Sequence, residues 1–208
     1  MPLVPRAGLN TDRVVAEAAE LADEAGPDHL TLAALAARLG VRQPSLYKHV
    51  DGLDGLRRSI ALRAKDELAG TLARAAVGRS RGDAIVALAS AYRQWALQHP
   101  GRYAAAQRAP AVGDTEDQAA SDAVVRVVTD VLAGFELRDD DAIDATRALR
   151  SALHGFVTLE ADGGSGSPPT SAAASTVWSA VWSGPSPAGP MSLRCRRVTR
   201  HNQCRACD

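Results

Sequence analysis

Apolar residues recur at three- and four-residue steps through most of the first 164 positions, a helical rather than a strand-like period. In "GLNTDRVVAEAAELADEAG", Val14, Ala18, Leu21, Ala22 and Ala25 share one face, Asn10 or Thr11 can cap the start, and Gly26-Pro27 supplies the stop. Thr31 then caps "LAALAARLG", whose apolar stripe is Leu32, Leu35, Ala36 and Leu39. Gly40 suits a left-handed turn, and a third helix is predicted over 43–49 with Pro44 in its tolerated first turn. Two short helices joined by a glycine-containing turn make a helix-turn-helix.

Four longer periodic stretches follow. A long helix is predicted over 53–75, and another over 83–98 carries Ile85, Leu88, Ala89, Tyr92 and Trp95 and stops at "HPG". After the short segment "RYAAAQRA", helices are predicted over 116–134 (Val124, Val127, Val128, Val131, Phe135) and 140–161 (Ile143, Leu149, Leu153, Phe156). There is no internal repeat and no convincing strand pattern. The expected fold is all-α. It comprises an N-terminal arm (1–9), a three-helix head with the helix-turn-helix (10–52), and a helical regulatory domain (53–164) that opens with a linking helix.

Composition adds a boundary that the periodicity alone does not show. The chain has 208 residues, 46 % of them apolar, and no formal net charge. Divided along the chain, 1–70 holds nine bases and ten acids, 71–164 ten and thirteen, and 165–208 five arginines against Asp208 alone. Within 31–50 stand Arg38, Arg42 and Lys48 with no acid. No apolar run approaches the roughly 18–20 residues that cross a membrane, and the N-terminus lacks the apolar core of a secretory signal, so a cytoplasmic protein is expected. There is no nucleophile motif, no paired-carboxylate arrangement and no phosphate loop; no enzyme and no cofactor are expected.

The candidate chemistry lies in "LGVRQPSLYKHV". At about 100° per residue, Leu46 and Val50 point to the core while Pro44, Ser45 and Lys48 face outward. Tyr47 and His49 fall on the two edges, each roughly 80° from the buried direction. A helix in a DNA major groove divides its surface in this way, with base edges at the outward face and phosphates along both edges. Thr31 would place a hydroxyl and free N–H groups against a phosphate. The pattern alone also fits a purely structural bundle in which the tyrosine is a lid on the core.

"LTLAALAARLGVRQPSLYKHVDGLDGLRRSI" resembles the DNA-binding segment of the tetracycline-repressor (TetR) family, and "QPSLYKHV" is close to a recognition helix of that family. The resemblance implies base or base-proximal contacts from Gln43, Pro44 and Ser45, and phosphate contacts from Thr31, Tyr47, Lys48 and His49. Arg42, just before the helix, is a further expected contact. A base-reading arginine found early in the second helix of the founding member aligns with Ala33, so the operator is not transferable.

Downstream, "YRQWALQHPGRYAAAQRAP" and "LRSALHGFVTLEADGG" resemble the WHG-type C-terminal domain of one branch of the family, with Leu153-His154-Gly155 at the Trp-His-Gly motif. The resemblance spans about residues 6–164. It implies a homodimer on a pseudo-palindromic operator, and a pocket between helices for a small-molecule inducer. Tyr92, Trp95, Tyr103, His154 and Phe156 are the candidate ligand residues, against the alternative that these aromatics fill the core and His154 is structural. A rival reading from another class is a small helical enzyme or ligand carrier using the same pocket.

Residues 165–208 break the pattern. "SGSPPTSAAASTVWSAVWSGPSPAGP" is non-periodic and rich in Ser, Ala and Pro where the family would continue with another amphipathic helix. Three readings compete: a zinc site from Cys195, His201, Cys204 and Cys207, an ordinary disordered tail, and a reading-frame shift. The last is favoured. With GC-rich codons the adjacent frame of this stretch can read FGLPPDVGRRLDRLVGGLVGAL, which has a helical apolar stripe. Prolines at 168, 169, 185, 187 and 190 would break any helix here, so weak dimerisation is expected.

Overall fold

The computed structural model describes residues 9–137 and 139–163. The expectations for the arm and for 165–208, the zinc and reading-frame readings included, lie outside the described residues. Those residues form seven α-helices and two short 3-10 turns with no strand: α1 (Thr11–Ala25), α2 (Leu32–Leu39), α3 (Gly52–Ala76), α4 (Arg81–Gln98), α5 (Pro100–Ala106), α6 (Thr115–Ala133) and α7 (Asp139–Ala161). The 3-10 turns are Pro27–His29 and Gln43–Lys48.

Local chemistry sets the boundaries of the first helices. The Asn10 side chain accepts from the Arg13 N–H, and Thr31 accepts from the Ala34 N–H, each satisfying an orphan donor of a first helical turn. Gly40 closes α2 at φ 66°, ψ 31°, a left-handed conformation that a Cβ would strain. The reading segment differs from expectation: 43–48 is a 3-10 turn, not an α-helix. Pro44 has no N–H to donate. The bonds that form, Ser45 N–H to Arg42 at 2.9 Å and His49 N–H to Leu46 at 2.8 Å, span three residues. Six residues with a proline in second place hold too few four-residue bonds to do otherwise.

Two apolar cores share one helix. The head packs Val14, Ala18, Leu35, Leu46 and Val50 against Leu56 and Ile60 from the first turns of α3. The same helix then gives Leu68 and Leu72 to a second core with Ile85, Leu88, Trp95, Leu149 and Leu153. At 1.5 Å per residue the 25-residue α3 is about 37 Å long, so it forms a rigid strut through both units. The expected stripes of α6 and α7 are buried at Val128, Val131, Leu149 and Leu153, whereas Ile143 stands 49 % exposed. No described helix is long and apolar enough to cross a membrane.

Candidate nucleic-acid interface and regulatory cavity

Leu46 is fully buried and Val50 nearly so, and these two anchors fix which side of the reading turn faces outward. With three residues per turn, successive side chains are about 120° apart. Pro44 and Tyr47 therefore share one flank, Ser45 and Lys48 the other, and His49 falls back beneath Leu46. Burial follows this geometry in part: Pro44, Tyr47 and Lys48 are exposed and His49 is half-buried, whereas Gln43 is exposed at the open end of the turn and Ser45 is half-buried. His49 is thus less of an edge residue than helical spacing predicted. The Thr11 hydroxyl donates to its carbonyl at 3.4 Å, tying the end of the turn to α1. Thr31 uses its oxygen to cap α2 and keeps its hydroxyl proton for another acceptor.

Of the three cations in 31–50, one is spent inside the head. Arg38 holds Glu24 at 2.5 and 2.9 Å, Glu17 at 3.0 Å and Glu20 at 3.5 Å, all on α1. The Glu24 contact, and then Glu17, raises the guanidinium further above its ordinary range, while Arg38 lowers the Glu24 carboxyl. Arg42 and Lys48 have no carboxylate partner among the described residues. The free positive charge of the head therefore lies beside the exposed reading turn.

In the second unit a cavity of about 290 Å³ opens between α3, α4, α6 and α7, with the end of α5 as one wall. Leu68, Leu72, Val128 and Leu153 give it an apolar body; Lys65, Tyr92, Gln107 and Arg150 supply polar groups. Lys65, 2 % exposed, bonds to Asp117 at 2.5 Å and to the Arg108 carbonyl at 3.0 Å. A chain of hydrogen bonds runs away from the cavity. Gln107 Nε2 donates to the Tyr92 hydroxyl at 3.4 Å, the Tyr92 and Tyr103 hydroxyls are 3.1 Å apart, and Tyr103 lies 2.6 Å from His154 Nδ1. Burial pushes both phenol pKa values up, and for Tyr103 its bond to Tyr92 adds to the rise.

Of the five aromatic and histidine candidates, Tyr92 lines this cavity. Tyr103 stands one hydrogen bond behind it and the exposed His154 two. Trp95 is buried in the second core with its ring 5.6 Å from His99, and Phe156 packs against the same core. Periodicity picks out such side chains but does not say whether the space before them is filled. Lys65, Gln107 and Arg150 were not candidates, because no local pattern marks them. A larger depression of about 370 Å³ lies at the far end of α3, between its last turn and α6, open to solvent.

α5 connects the two units. At Gly101 a Cβ would sit 2.2 Å from the Ala22 carbonyl carbon and 2.6 Å from the Asp23 nitrogen, so only glycine lets α5 press against the α1 backbone. Asp23 accepts from the Arg102 backbone N–H at 2.8 Å, with Arg102 Nε at 3.1 Å and His99 Nδ1 at 3.3 Å from its other oxygen. The far end of the same short helix, Ala106 with Gln107 beyond it, lines the cavity. "HPG" reads in sequence as a helix stop; its second role, a contact between units, has no sequence signal.

Two family descriptions match parts of the chain. Residues 14–58 match the family described as bacterial regulatory proteins, tetR family, and residues 85–180 match the tetracyclin repressor-like C-terminal domain. The second match continues past the compositional break at Gly164. An HTH-type transcriptional regulator of Mycobacterium tuberculosis is 43 % identical over 158 residues, 76 % of this chain and 72 % of the relative. The HTH-type transcriptional regulator YobS of Bacillus subtilis is 40 % identical over 157 residues, 74 % of this chain and 81 % of the relative. A solved protein of unknown function from Rhodococcus sp. RHA1 superposes with a TM-score of 0.69 at 26 % identity, covering 88 % of this chain and 98 % of that one. With a helix-turn-helix head, a helical second domain and relatives of this kind, the chain belongs to the TetR family and is a transcriptional regulator.

Proposed function

We propose that this regulator is a repressor that pairs two reading turns on a pseudo-palindromic operator and leaves it when a small molecule fills the 290 Å³ cavity. The observation that carries the reading is the position of α5. One end is clamped to α1 of the head through Gly101 and Asp23, and the other forms a wall of the cavity. A ligand that displaces Gln107 or Ala106 moves a short rigid rod seated on the DNA-binding unit. Ligand and DNA then favour different settings of the same joint, which is the differential contact that allosteric coupling needs.

In this reading Gln43 and Pro44 meet base edges, Tyr47, Lys48, Arg42 and Thr31 meet phosphates, and Ser45 and His49 contribute from the margin. Pairing of two copies uses the face of α7 that carries Leu159, 60 % exposed, with the exposed Ala148 and Ala152. From the proline-rich sequence of 165–208, which lies outside the described residues, we propose that this pairing is weak.

Footprinting of the intergenic DNA beside the gene, with and without compounds that raise the melting temperature, tests the function. A protected palindrome that is released by a stabilising compound is expected. Protection that no stabilising compound relieves would contradict ligand control. Light scattering at micromolar concentration tests the pairing: a mixture of monomer and dimer is expected, and a dimer that persists on dilution would contradict it.

A further inference from the structure

The charges around the cavity narrow the chemistry of its ligand. Among the described residues the half-buried Arg58, Arg93 and Arg102 are neutralised by Asp114, Glu160 and Asp23. At the cavity rim Arg150, an exposed side chain on the α7 wall, has no carboxylate partner among the described residues, and neither has the exposed Arg108 in the loop after α5. The carboxylate in the lining, Asp122, accepts from Gln118 on the exposed face of α6. Lys65, in the buried floor, is matched by Asp117, and two of its three N–H donors are used. The site is thus apolar in its body, and with Lys65 matched by Asp117 its lining sets Arg108 and Arg150 against Asp122, a net positive balance. An anion entering such a site meets a field already set in its favour.

We propose, building on the ligand-controlled reading above, that the effector is a small monocarboxylate with an apolar body, its carboxylate held by Arg150 and its body lying along Leu68, Leu72, Val128 and Leu153. A guanidinium is suited to this, because its planar fork matches both carboxylate oxygens. Lys65 and the Gln107 amide supply further donors on the same lining. At about 30 Å³ per water of liquid, a 290 Å³ cavity equals roughly ten water volumes, enough for one aromatic ring with a short acid arm or a medium alkyl chain. The reach of Arg150 extends to the phenols: its charge partly offsets the upward push of burial on both Tyr92 and Tyr103. A carboxylate that neutralises Arg150 would remove that influence from the hydrogen-bonded chain to His154.

Calorimetric titration of the full chain with phenylacetate and octanoate, each against its neutral amide, tests the charge rather than the shape. The acids should bind about tenfold or more tightly than the amides, the loss expected when a charge-assisted bond becomes a neutral one. Arg150→Gln should erase that preference while leaving amide affinity and melting temperature near those of the parent, and Arg150→Lys should keep part of it. Amides that bind as well as acids, or an acid preference that survives in Arg150→Gln, would overturn the proposal. So would failure of both series to bind at millimolar concentration. Ligand control of the operator is judged separately: a neutral compound that binds and releases DNA leaves that function standing and removes the carboxylate assignment alone.

Discussion

The head and the regulatory unit treat polar groups in opposite ways. The head buries an almost purely apolar core and leaves its polar side chains on the surface, where Arg42 and Lys48 stand unpaired among the described residues beside an exposed tyrosine. The regulatory unit takes polar groups inside: the Lys65–Asp117 pair is 2 % and 5 % exposed, and two tyrosine hydroxyls meet in its core. A surface that reads DNA needs charge that water, and later phosphate, can reach. A cavity that discriminates among small molecules needs polar groups fixed in place and shielded from water. On the proposed reading the difference is one of task, and it predicts where substitutions act.

The largest effect is expected at the buried pair. Asp117→Asn or Lys65→Met alone leaves the other partner uncompensated in the core and should cost about 3–5 kcal/mol in chemical denaturation. The double replacement Lys65→Met with Asp117→Leu should recover most of that loss. If each single variant unfolds at the parent's denaturant concentration, the pair is solvated and the contrast with the head fails.

Next comes the joint. Gly101→Ala forces a methyl group into the Ala22 carbonyl and should cost about 1–3 kcal/mol, or uncouple the units if the head swings away instead. Denaturation together with operator binding separates the two cases. In the second, stability is nearly normal and DNA is held whether or not ligand is present. A variant normal in both properties would show that α5 does not press on α1.

The smallest effect is electrostatic. Arg58 bonds Asp114, the N-cap of α6, at 2.5 and 2.7 Å, and this bond, helped by the Asp117 N–H, pulls the carboxyl down to about 2. Because the folded value lies below the unfolded one, the contribution is fully present above about pH 4 and is lost as the pH falls towards 2. A circular-dichroism acid titration at low salt should show Arg58→Gln unfolding at a higher pH than the parent. Coincident curves would mean that this surface bond contributes nothing.

How much of this could be read in sequence follows the same division. The head was legible because its signals are local: caps at Asn10 and Thr31, the left-handed Gly40, and anchors four residues apart at Leu46 and Val50. Its one structural surprise, a 3-10 turn, follows from Pro44, whose missing N–H was in plain view. The second unit was legible as helices but not as a site. Lys65 and Asp117 are 52 positions apart, Tyr103 and His154 are 51, and Asp23 meets Arg102 across 79. Pairings at such separations are set by how helices stack, and no period within one helix encodes them. Arg38 shows the same limit: the run 31–50 holds no acid, and the carboxylates that pair with Arg38 lie on the preceding helix.

The central claim is that the exposed reading turn recognises DNA, with sequence read at Gln43 and phosphate held at Lys48. The direct measurement is binding to the footprinted site and to single-base variants of it over a range of salt. Lys48→Ala should weaken binding to every sequence and reduce the salt slope by about one, while Gln43→Ala should change which base is preferred by about 1–3 kcal/mol with the slope unchanged. Both variants binding every site as the parent does, with melting temperatures intact, would contradict the account.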